Sequence, residues 1–398
     1  MKGSKFSYRV RVALLIETAS RYGRGLLRGI VQWNQEQKQP WLLYLGEYRK
    51  GNIIPEELEA GQCDAVIARI ETPALAKYLQ TLRCPVVDVS YFRLLPGVPS
   101  VDQDHDAFGK MAFAHLYEIG LRHLAFLGDL QMPWARCRGD SFVQAAEEAG
   151  LECHVYGSQT VRAAPSFLSA DLMKWASSLP KPVGVFCAWD GLARQLLQAC
   201  QSGGIHVPDE VAVLGVGNDE LEISLCTPPV SSIPNNSEGA GYRAAEMLNA
   251  MLGNPQLLPA DILLSPLELV TRQSTDVLAL ADVRIRAAIR MIRERACLGL
   301  KVDDILRAVP LSRRELELRF QKYVGRSPHQ EILRNRLDRA KRLLRETELG
   351  LAEVADRCGF EHPEYFSVVF KREEQLTPHA WRKLERENQK GATGRNWK

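Results

Sequence analysis

The chain has 398 residues, of which 45% are hydrophobic and 25% charged, with a formal net charge of +3. That length suits two or three domains, each with its own core, and the composition is that of a globular chain rather than a disordered or collagen-like one. No apolar run reaches the ~18–20 residues that a membrane span needs. The nine cysteines are scattered, odd in number and never spaced C-x-x-C, which favours reduced thiols over a disulfide or zinc framework. The beginning, "MKGSKFSYRVRVALLIETAS", is basic, but its apolar stretch "VALLI" is too short for a secretion signal. A cytoplasmic protein with no membrane partner is expected.

In chain order, "VRVALLI" (10–16) reads as a strand. It is followed by "GRGLLRGIVQWNQEQ" (23–37), where Leu26, Leu27, Ile30, Val31 and Trp33 recur at helical spacing. Further strand-like runs are "WLLYLG" (41–46), "DAVIARI" (64–70), "PVVDVS" (85–90), "HLAFLG" (123–128), "PVGVFCAW" (182–189) and "VAVLGVG" (211–217). Helical patterns such as "AFGKMAFAHLYEIG" (107–120) and "SFVQAAEEAG" (141–150) fall between them. Strands alternating with helices predict an α/β fold with doubly wound parallel sheets. So long a stretch fits two sheet lobes with a cleft between them, and ligands in such folds bind beyond the carboxyl ends of the strands.

Several of these segments resemble the ligand-sensing core of the LacI/GalR regulators, which is built like a periplasmic sugar-binding protein. The resemblance is carried by "SVDQDHDAFGKMAFAHLYEIGLRHLAFLG" (100–128), "RGDSFVQAAEEAGL" (138–151) and "PVGVFCAWDGLARQLLQACQSGGIHVPDEVAVLGVGNDE" (182–220). It continues through "PPVSSI" (228–233) to "LVTRQSTD" (269–276), so that residues 8–276 are expected to form the sensing core. LacI relatives begin with a helix-turn-helix ahead of this core. None precedes it here, so DNA-binding equipment is expected elsewhere.

Beyond a short linker, expected at 277–283, the pattern turns wholly helical and basic. From residue 283 onward there are 27 basic and 17 acidic side chains, a net of +10, against 24 and 31, a net of −7, before it. A basic third on a mildly acidic body suits a polyanion-binding module on a carrier, or a merely solvated basic surface. "DVRIRAAIRMIRERACLG" (282–299) puts Ile285, Ala288, Ile289 and Ile292 on one helix face. "VDDILRAVPLSRRELELRF" (302–320) then overlays "LAEVADRCGFEHPEYFSVVF" (351–370) with one inserted residue. Leu316 pairs with Phe366 and Phe320 with Phe370. Each copy reads as helix, tight turn, second helix, with Ser312 a plausible N-cap and Pro363 suited to a first turn. Between the copies, "HQEILRNRLDRAKRLLRET" (329–347) lines up Ile332, Leu333, Leu337, Ala340 and Leu344. Such a linking helix would set two reading helices about one DNA turn, ~34 Å, apart.

The tandem units closely resemble the AraC/XylS DNA-binding domain, through "LSRRELELRFQKYVGRSPHQEILRNRLDRAKRLLRET", "LAEVADRCGFEHPEYFSVVFKRE" and "LTPHAWRK". An all-α domain with two helix-turn-helix units is thus expected over 284–390, followed by a disordered tail at 391–398. A LacI-type core ahead of an AraC-type domain resembles the XylR-like transcriptional regulators along nearly the full length. That resemblance implies double-stranded DNA with paired promoter half-sites, a small sugar or polyol effector such as xylose, RNA polymerase and a second copy of the chain as partners. It favours activation over repression.

In the first reading helix Arg313, Arg314, Glu317 and Gln321 face away from the Leu316/Phe320 stripe. Arginine can bond guanine bidentately and glutamate can accept from cytosine; either arginine can instead hold phosphate or pair with Glu317. In the second, His362, Glu364, Ser367, Val368, Lys371 and Arg372 are the candidates. Val368 suits a thymine methyl and the two basic residues suit phosphate, while Tyr365, Phe366 and Phe370 are expected in the core.

In the sensor, the resemblance matches Arg138 to an arginine that grips a sugar hydroxyl. Trp134, just upstream, can stack on the apolar face of a pyranose. Asp190 and Glu17 can each accept a hydroxyl hydrogen or cap a helix. Many relatives carry an aspartate where Gly217 stands, so Asn218 and Asp219 take its part or the ligand differs. The acidic run "VDQDHDAFG" (101–109) suits a helix start better than a metal site. "YGRGLLRG" (22–29) lacks a phosphate-loop Gly-Lys-Ser/Thr, and G-x-S-x-G is absent, so no cofactor and no catalytic nucleophile is expected. Three other readings stay open: a sugar-acting enzyme using the cleft carboxylates, a transport-associated binding protein, and a regulator whose core is a ligand-independent dimerisation scaffold.

Overall fold

The apolar runs Arg11–Leu15 (β1), Leu42–Leu45 (β2), Ala65–Ala68 (β3) and Val86–Asp88 (β4) lie side by side in a parallel sheet of order β2-β1-β3-β4. The computed structural model describes residues 9–46, 63–157, 170–254, 256–276, 282–347 and 349–384. The expected linker at 277–283 lies mostly, and the tail at 391–398 wholly, outside the described residues. By its contacts the chain divides into two compact units, Met1–Val277 and Leu278–Lys398.

Within the first unit, Val101–Gln103 (β5) continues the first sheet through a parallel bridge from Asp88 to Ser100, and Ile262–Leu264 (β11) pairs beyond it. Helices Arg21–Gln35 (α1), Pro73–Leu79 (α2) and Ser237–Gly253 (α8) cover this lobe. Leu26, Ile30 and Trp33 of α1 are buried against Ala240, Ala244 and Leu248 of α8. The two helices approach closely because α1 carries Gly25 and Gly29. A Cβ at Gly29 would stand 1.9 Å from the Glu238 carbonyl oxygen, and one at Gly241 would stand 1.9 Å from that of Leu26.

The second lobe is a five-stranded parallel sheet built from His123–Gly128 (β6), Cys153–Gly157 (β7), Val183–Cys187 (β8), Val211–Val216 (β9) and Ser231–Ile233 (β10). Its order is β10-β9-β8-β6-β7. Helices His105–Glu118 (α3), Pro133–Glu148 (α4), Ala170–Ser178 (α5), Asp190–Ser202 (α6) and Glu220–Ser224 (α7) complete it. β8 and β9 are buried at every position, which is why they read as unbroken apolar runs rather than alternating ones. Phe108, Phe126, Phe142 and Phe186 fill the core, each worth about 2–3 kcal/mol of burial.

The chain passes between the lobes three times, and the crossings are tied together. Gln103 exchanges hydrogen bonds with the backbone of Asn236, receiving its N–H at 2.8 Å and donating to its carbonyl at 3.3 Å. The next amide, Asp104, donates to Leu264 at 2.8 Å. Asp104 also N-caps α3 by accepting from the Ala107 amide at 3.1 Å, so the acidic run opens a helix and bridges the lobes together. β5, β7, β10 and β11 are absent from the strands expected above. β5, β10 and β11 have only three residues each, and polar residues such as Asp102 and Gln103 in β5 and His154 in β7 interrupt the apolar pattern.

The second unit is all helical: Val283–Arg295 (α9), Val302–Ala308 (α10), Arg313–Val324 (α11), Pro328–Glu346 (α12), Leu351–Arg357 (α13) and Pro363–Glu374 (α14). A last helical stretch spans 378–384. The repeat is real at the level of elements, since each copy pairs a 7-residue helix with a 12-residue one. Ser312 caps α11 in a capping box with Glu315, and Pro363 stands in the first turn of α14. Two cores result. One gathers Ile285, Ile289, Ile292, Ile305, Leu316 and Phe320; the other gathers Val354, Phe360, Phe366, Val369 and Phe370. α12 belongs to both, giving Ile332 to the first and Leu333, Leu337, Ala340 and Leu344 to the second.

Candidate functional site

Between the lobes of the first unit lies a cleft of about 390 Å³. From the first lobe it is lined by Ser20, Tyr22, Arg69, Glu71 and Tyr91, and from the crossing by Asp102 and His105. The second lobe gives Trp134, Arg138, Trp189, Asp190, Gly217, Asp219 and Glu222. These residues stand where strands end and helices begin, as parallel sheets require.

Arg138, on the second turn of α4, is buried. Its Nε donates to His105 Nδ1 at 3.2 Å and its Nη1 to the Ala188 carbonyl at 2.6 Å. The guanidinium lies 4.6 Å from the Phe108 ring centroid and 5.0 Å from that of Trp134. Burial pulls its pKa down to about 10, so it stays charged at neutral pH. Burial, followed by the Arg138 charge, also lowers the His105 pKa well below its ordinary value, leaving a neutral imidazole. Trp134 and Trp189 meet edge to face at 5.6 Å, and Tyr91 stands edge-on to His105 at 4.6 Å. Rings beside fixed polar groups suit a ligand with an apolar face and a hydroxyl edge.

Asp190 is the first residue of α6 rather than its N-cap, which is Trp189. Its carboxylate is already engaged: Ser232 Oγ donates to Oδ1 at 2.6 Å and the Asp219 amide to Oδ2 at 2.7 Å. Burial raises its pKa to about 6. These bonds hold the loop where Gly217 has φ +122° and Asn218 φ +52°. A Cβ at Gly217 would stand 3.2 Å from Asp190 Oδ2, so a carboxylate there would face another in a backbone conformation that favours glycine.

Trp134, Arg138, Asp190 and Asp219 therefore come together in the cleft, whereas Glu17 and Asn218 do not line it. Glu17 accepts from Ser20 Oγ at 2.6 Å and pairs with Arg69, so it positions cleft residues from behind. Asn218 accepts from Arg272 at 2.7 Å, and its amide donates to Ser232 Oγ at 2.9 Å. Sequence reasoning missed Tyr22, Arg69, Tyr91, Asp102, His105 and Trp189. The sequence pattern places Asp102 and His105 only in the helix-opening run.

In the second unit, α11 and α14 present the polar sides of the two repeats. Arg313, Arg314 and Gln321 are exposed and Glu317 half-buried. Arg313 lies 3.6 Å from Asp303, and Gln321 donates to the Gly325 carbonyl at 3.3 Å. His362, Glu364, Lys371 and Arg372 are exposed, with Arg372 paired to Glu373. His362 occupies the N-cap position of α14 without a side-chain capping bond. Ser367 is half-buried and donates back to the Pro363 carbonyl at 3.0 Å. Val368 is 67% exposed, and Leu318, its counterpart in the first copy, is 61% exposed and was not anticipated. Tyr365 corrects an expectation: it is 52% exposed rather than core, and Val369 takes the inward place.

Three family models match the chain: a XylR N-terminal domain at residues 11–101, a periplasmic binding protein-like domain at 113–275 and a helix-turn-helix domain at 305–384. The xylose operon regulatory protein of Haemophilus influenzae is 32% identical over 384 residues, which cover 94% of this chain and 98% of the relative. This chain belongs to the family of xylose operon regulatory proteins. The Escherichia coli K12 member is 31% identical over 390 residues, covering 96% and 99% of the two chains. A solved structure described as the xylose-binding transcription activator XylR superposes with a TM-score of 0.78 at 30% identity, over 95% of this chain and 99% of that one. Like the other members of the xylose operon regulator family, the chain is a ligand-responsive, DNA-binding transcription regulator and not an enzyme. Among the described residues no helix is long and apolar enough to cross a membrane.

Proposed function

We propose that the cleft binds a small sugar or polyol and that its occupancy sets how the chain engages paired promoter sites. The observation that carries this reading is the Arg138 guanidinium, fixed by His105 and Ala188 between Trp134 and Phe108 at the cleft wall. A buried charge held beside ring faces is suited to orient a polyol, with Trp189, Asp219 and Tyr91 around it. The relatives' names make D-xylose the first ligand to test. Gly217 carries no side chain and both Asp190 oxygens are already engaged, so other pentoses, hexoses and polyols belong in the same screen.

On the DNA side, Arg313, Arg314, Glu317 and Gln321 of α11 act with His362, Glu364, Ser367, Val368, Lys371 and Arg372 of α14 in neighbouring major grooves. Arg313 reads a base edge, Val368 a thymine methyl, and Lys371 and Arg372 hold phosphate. The chain works in the cytoplasm as a homodimer that activates RNA polymerase. The sugar acts by linkage, favouring the dimer arrangement whose reading helices fit the half-sites.

Footprinting of the purified protein on its own promoter, with and without D-xylose or another sugar from the screen, tests the whole reading. Two protected stretches about one helical turn apart, with apparent affinity shifted by sugar, are expected. Absence of protection overturns the DNA half. Identical affinity with and without every sugar leaves the core as a scaffold and overturns the sensing half.

A further inference from the structure

Asp102 stands in β5, just ahead of Gln103 and the crossing from the first lobe to the second, and it is 4% exposed. Its Oδ1 is fully used, accepting from Tyr22 Oη at 2.9 Å and from the Gln103 amide at 2.7 Å. Its Oδ2 has no hydrogen-bond partner among the described residues, yet Asp102 lines the cleft. A buried carboxylate oxygen left alone costs its desolvation without a return. His105 Nε2 is 3.9 Å from Oδ1, too far to supply the missing donor. The Arg69 guanidinium lies over the Tyr22 ring at 5.2 Å and is held by Glu17 and Glu71. Among the described residues no side chain therefore completes Asp102.

Taking the cleft as a sugar site, as proposed above, we infer that Asp102 Oδ2 is the acceptor that selects the effector, receiving a hydroxyl hydrogen from the bound sugar on the crossing side of the cleft. Arg138 stands on the opposite lobe and brings donors only. The ligand thus presents one hydroxyl that donates, toward Asp102, and another that accepts, toward Arg138. An effector lacking the donating hydroxyl leaves a buried acceptor unmet, the situation in which binding sites discriminate most strongly. Asp102 also reports occupancy. The same carboxylate that meets the ligand holds Tyr22 in the first turn of α1 and adjoins Gln103, whose side chain clasps the second crossing at Asn236. Burial raises the Asp102 pKa, with the Gln103 amide and Tyr22 acting against it, which is the state of a carboxylate short of donors.

The test is isothermal titration calorimetry on the full chain with D-xylose, L-arabinose, D-ribose, D-glucose and xylitol. Wild type is compared with Asp102→Asn, in which the amide oxygen keeps the Tyr22 and Gln103 bonds and an NH2 replaces the free oxygen. For the sugar that binds, the variant is expected to lose about 10-fold or more in affinity. One deoxy analogue of that sugar should bind both proteins alike, because the hydroxyl it lacks is the one facing Asp102. Equal affinity of the two proteins for the parent sugar overturns this inference and leaves the sensor reading standing. No binding of any sugar by wild type overturns both. Should the variant not fold, isotope-edited infrared spectra of 13C-aspartate-labelled protein decide the matter: a carboxylate band that shifts on sugar addition in wild type and still shifts in Asp190→Asn and Asp219→Asn supports the assignment, and bands unmoved in wild type overturn it.

Discussion

The cleft and the two reading helices use the same kinds of side chain in opposite ways. In the cleft, Arg138, Asp190 and Asp102 are buried and their atoms are largely committed to protein partners before any ligand arrives. On α11 and α14, Arg313, Arg314, Glu364 and Lys371 are exposed and loosely paired at most. Commitment in advance makes a site selective at a cost in stability, because buried polar groups must be satisfied. Exposure leaves the basic side chains free to displace counterions from DNA, with little consequence for folding. A substitution should therefore register in stability on one side of this divide and in recognition on the other.

The largest effect should come from a residue that sits on a reading helix yet belongs to neither use. Phe366 is fully buried in the second helix-turn-helix core, with its ring 5.2 Å from that of Phe360 and 5.6 Å from that of Phe370. Phe366→Ala should cost about 3–5 kcal/mol, seen as a drop in the unfolding midpoint of the DNA-binding unit. Normal stability with altered base preference would break the division.

The next effect tests commitment in the cleft. Asp190 has its pKa raised to about 6 by burial, above the ~3.9 of an unfolded aspartate. The folded state then binds the proton more tightly than the unfolded one, so protonation stabilises the fold. Relative to Asp190→Asn, wild type should gain stability as pH falls from above 6 to about 4, by on the order of 2–3 kcal/mol. Denaturant melts of both proteins across that range measure it, and parallel curves would show that Asp190 does not titrate there.

Smaller still is the effect expected at Arg313. Arg313→Ala should leave the melting temperature unchanged and cost about 1–3 kcal/mol of discrimination at one base pair, read by binding to a set of single-base operator variants. A uniform loss on all sequences would make it a phosphate contact.

The sequence revealed the two architectures because both leave periodic marks. Unbroken runs such as Val211–Val216 announce a buried parallel strand, and the Leu316/Phe320 and Phe366/Phe370 spacings announce two equivalent helices. The short crossing strands left no such mark, since Asp102 and Gln103 in β5 are buried for their hydrogen bonds rather than for apolar area. The cleft was legible only where a residue stood next to a recognisable strand end, as Asp190 does, or matched a known arginine, as Arg138 does. Glu17 was a reasonable choice by the same rule, but Arg69 stands between it and the ligand space, and that separation is set by tertiary packing. Tyr365 looked like core because it adjoins Phe366, although one position along a helix is a turn of ~100°.

The helix α12 gives Ile332 to one core and Leu333, Leu337, Ala340 and Leu344 to the other. A single stiff rod thereby serves as the gauge block of the DNA-binding unit. On the reading proposed above, the stretches met by α11 and α14 of one chain can move apart only in steps of one base pair, each adding ~3.4 Å and about a tenth of a turn. A protein gauged in this way cannot follow such a step by flexing a tether. A new spacing between the two stretches met by one chain would have to lengthen or shorten the rod itself, and each added residue would swing the second probe through ~100°. The spacing within each half-site should accordingly drift far more slowly among relatives of this chain than the bases its side chains touch.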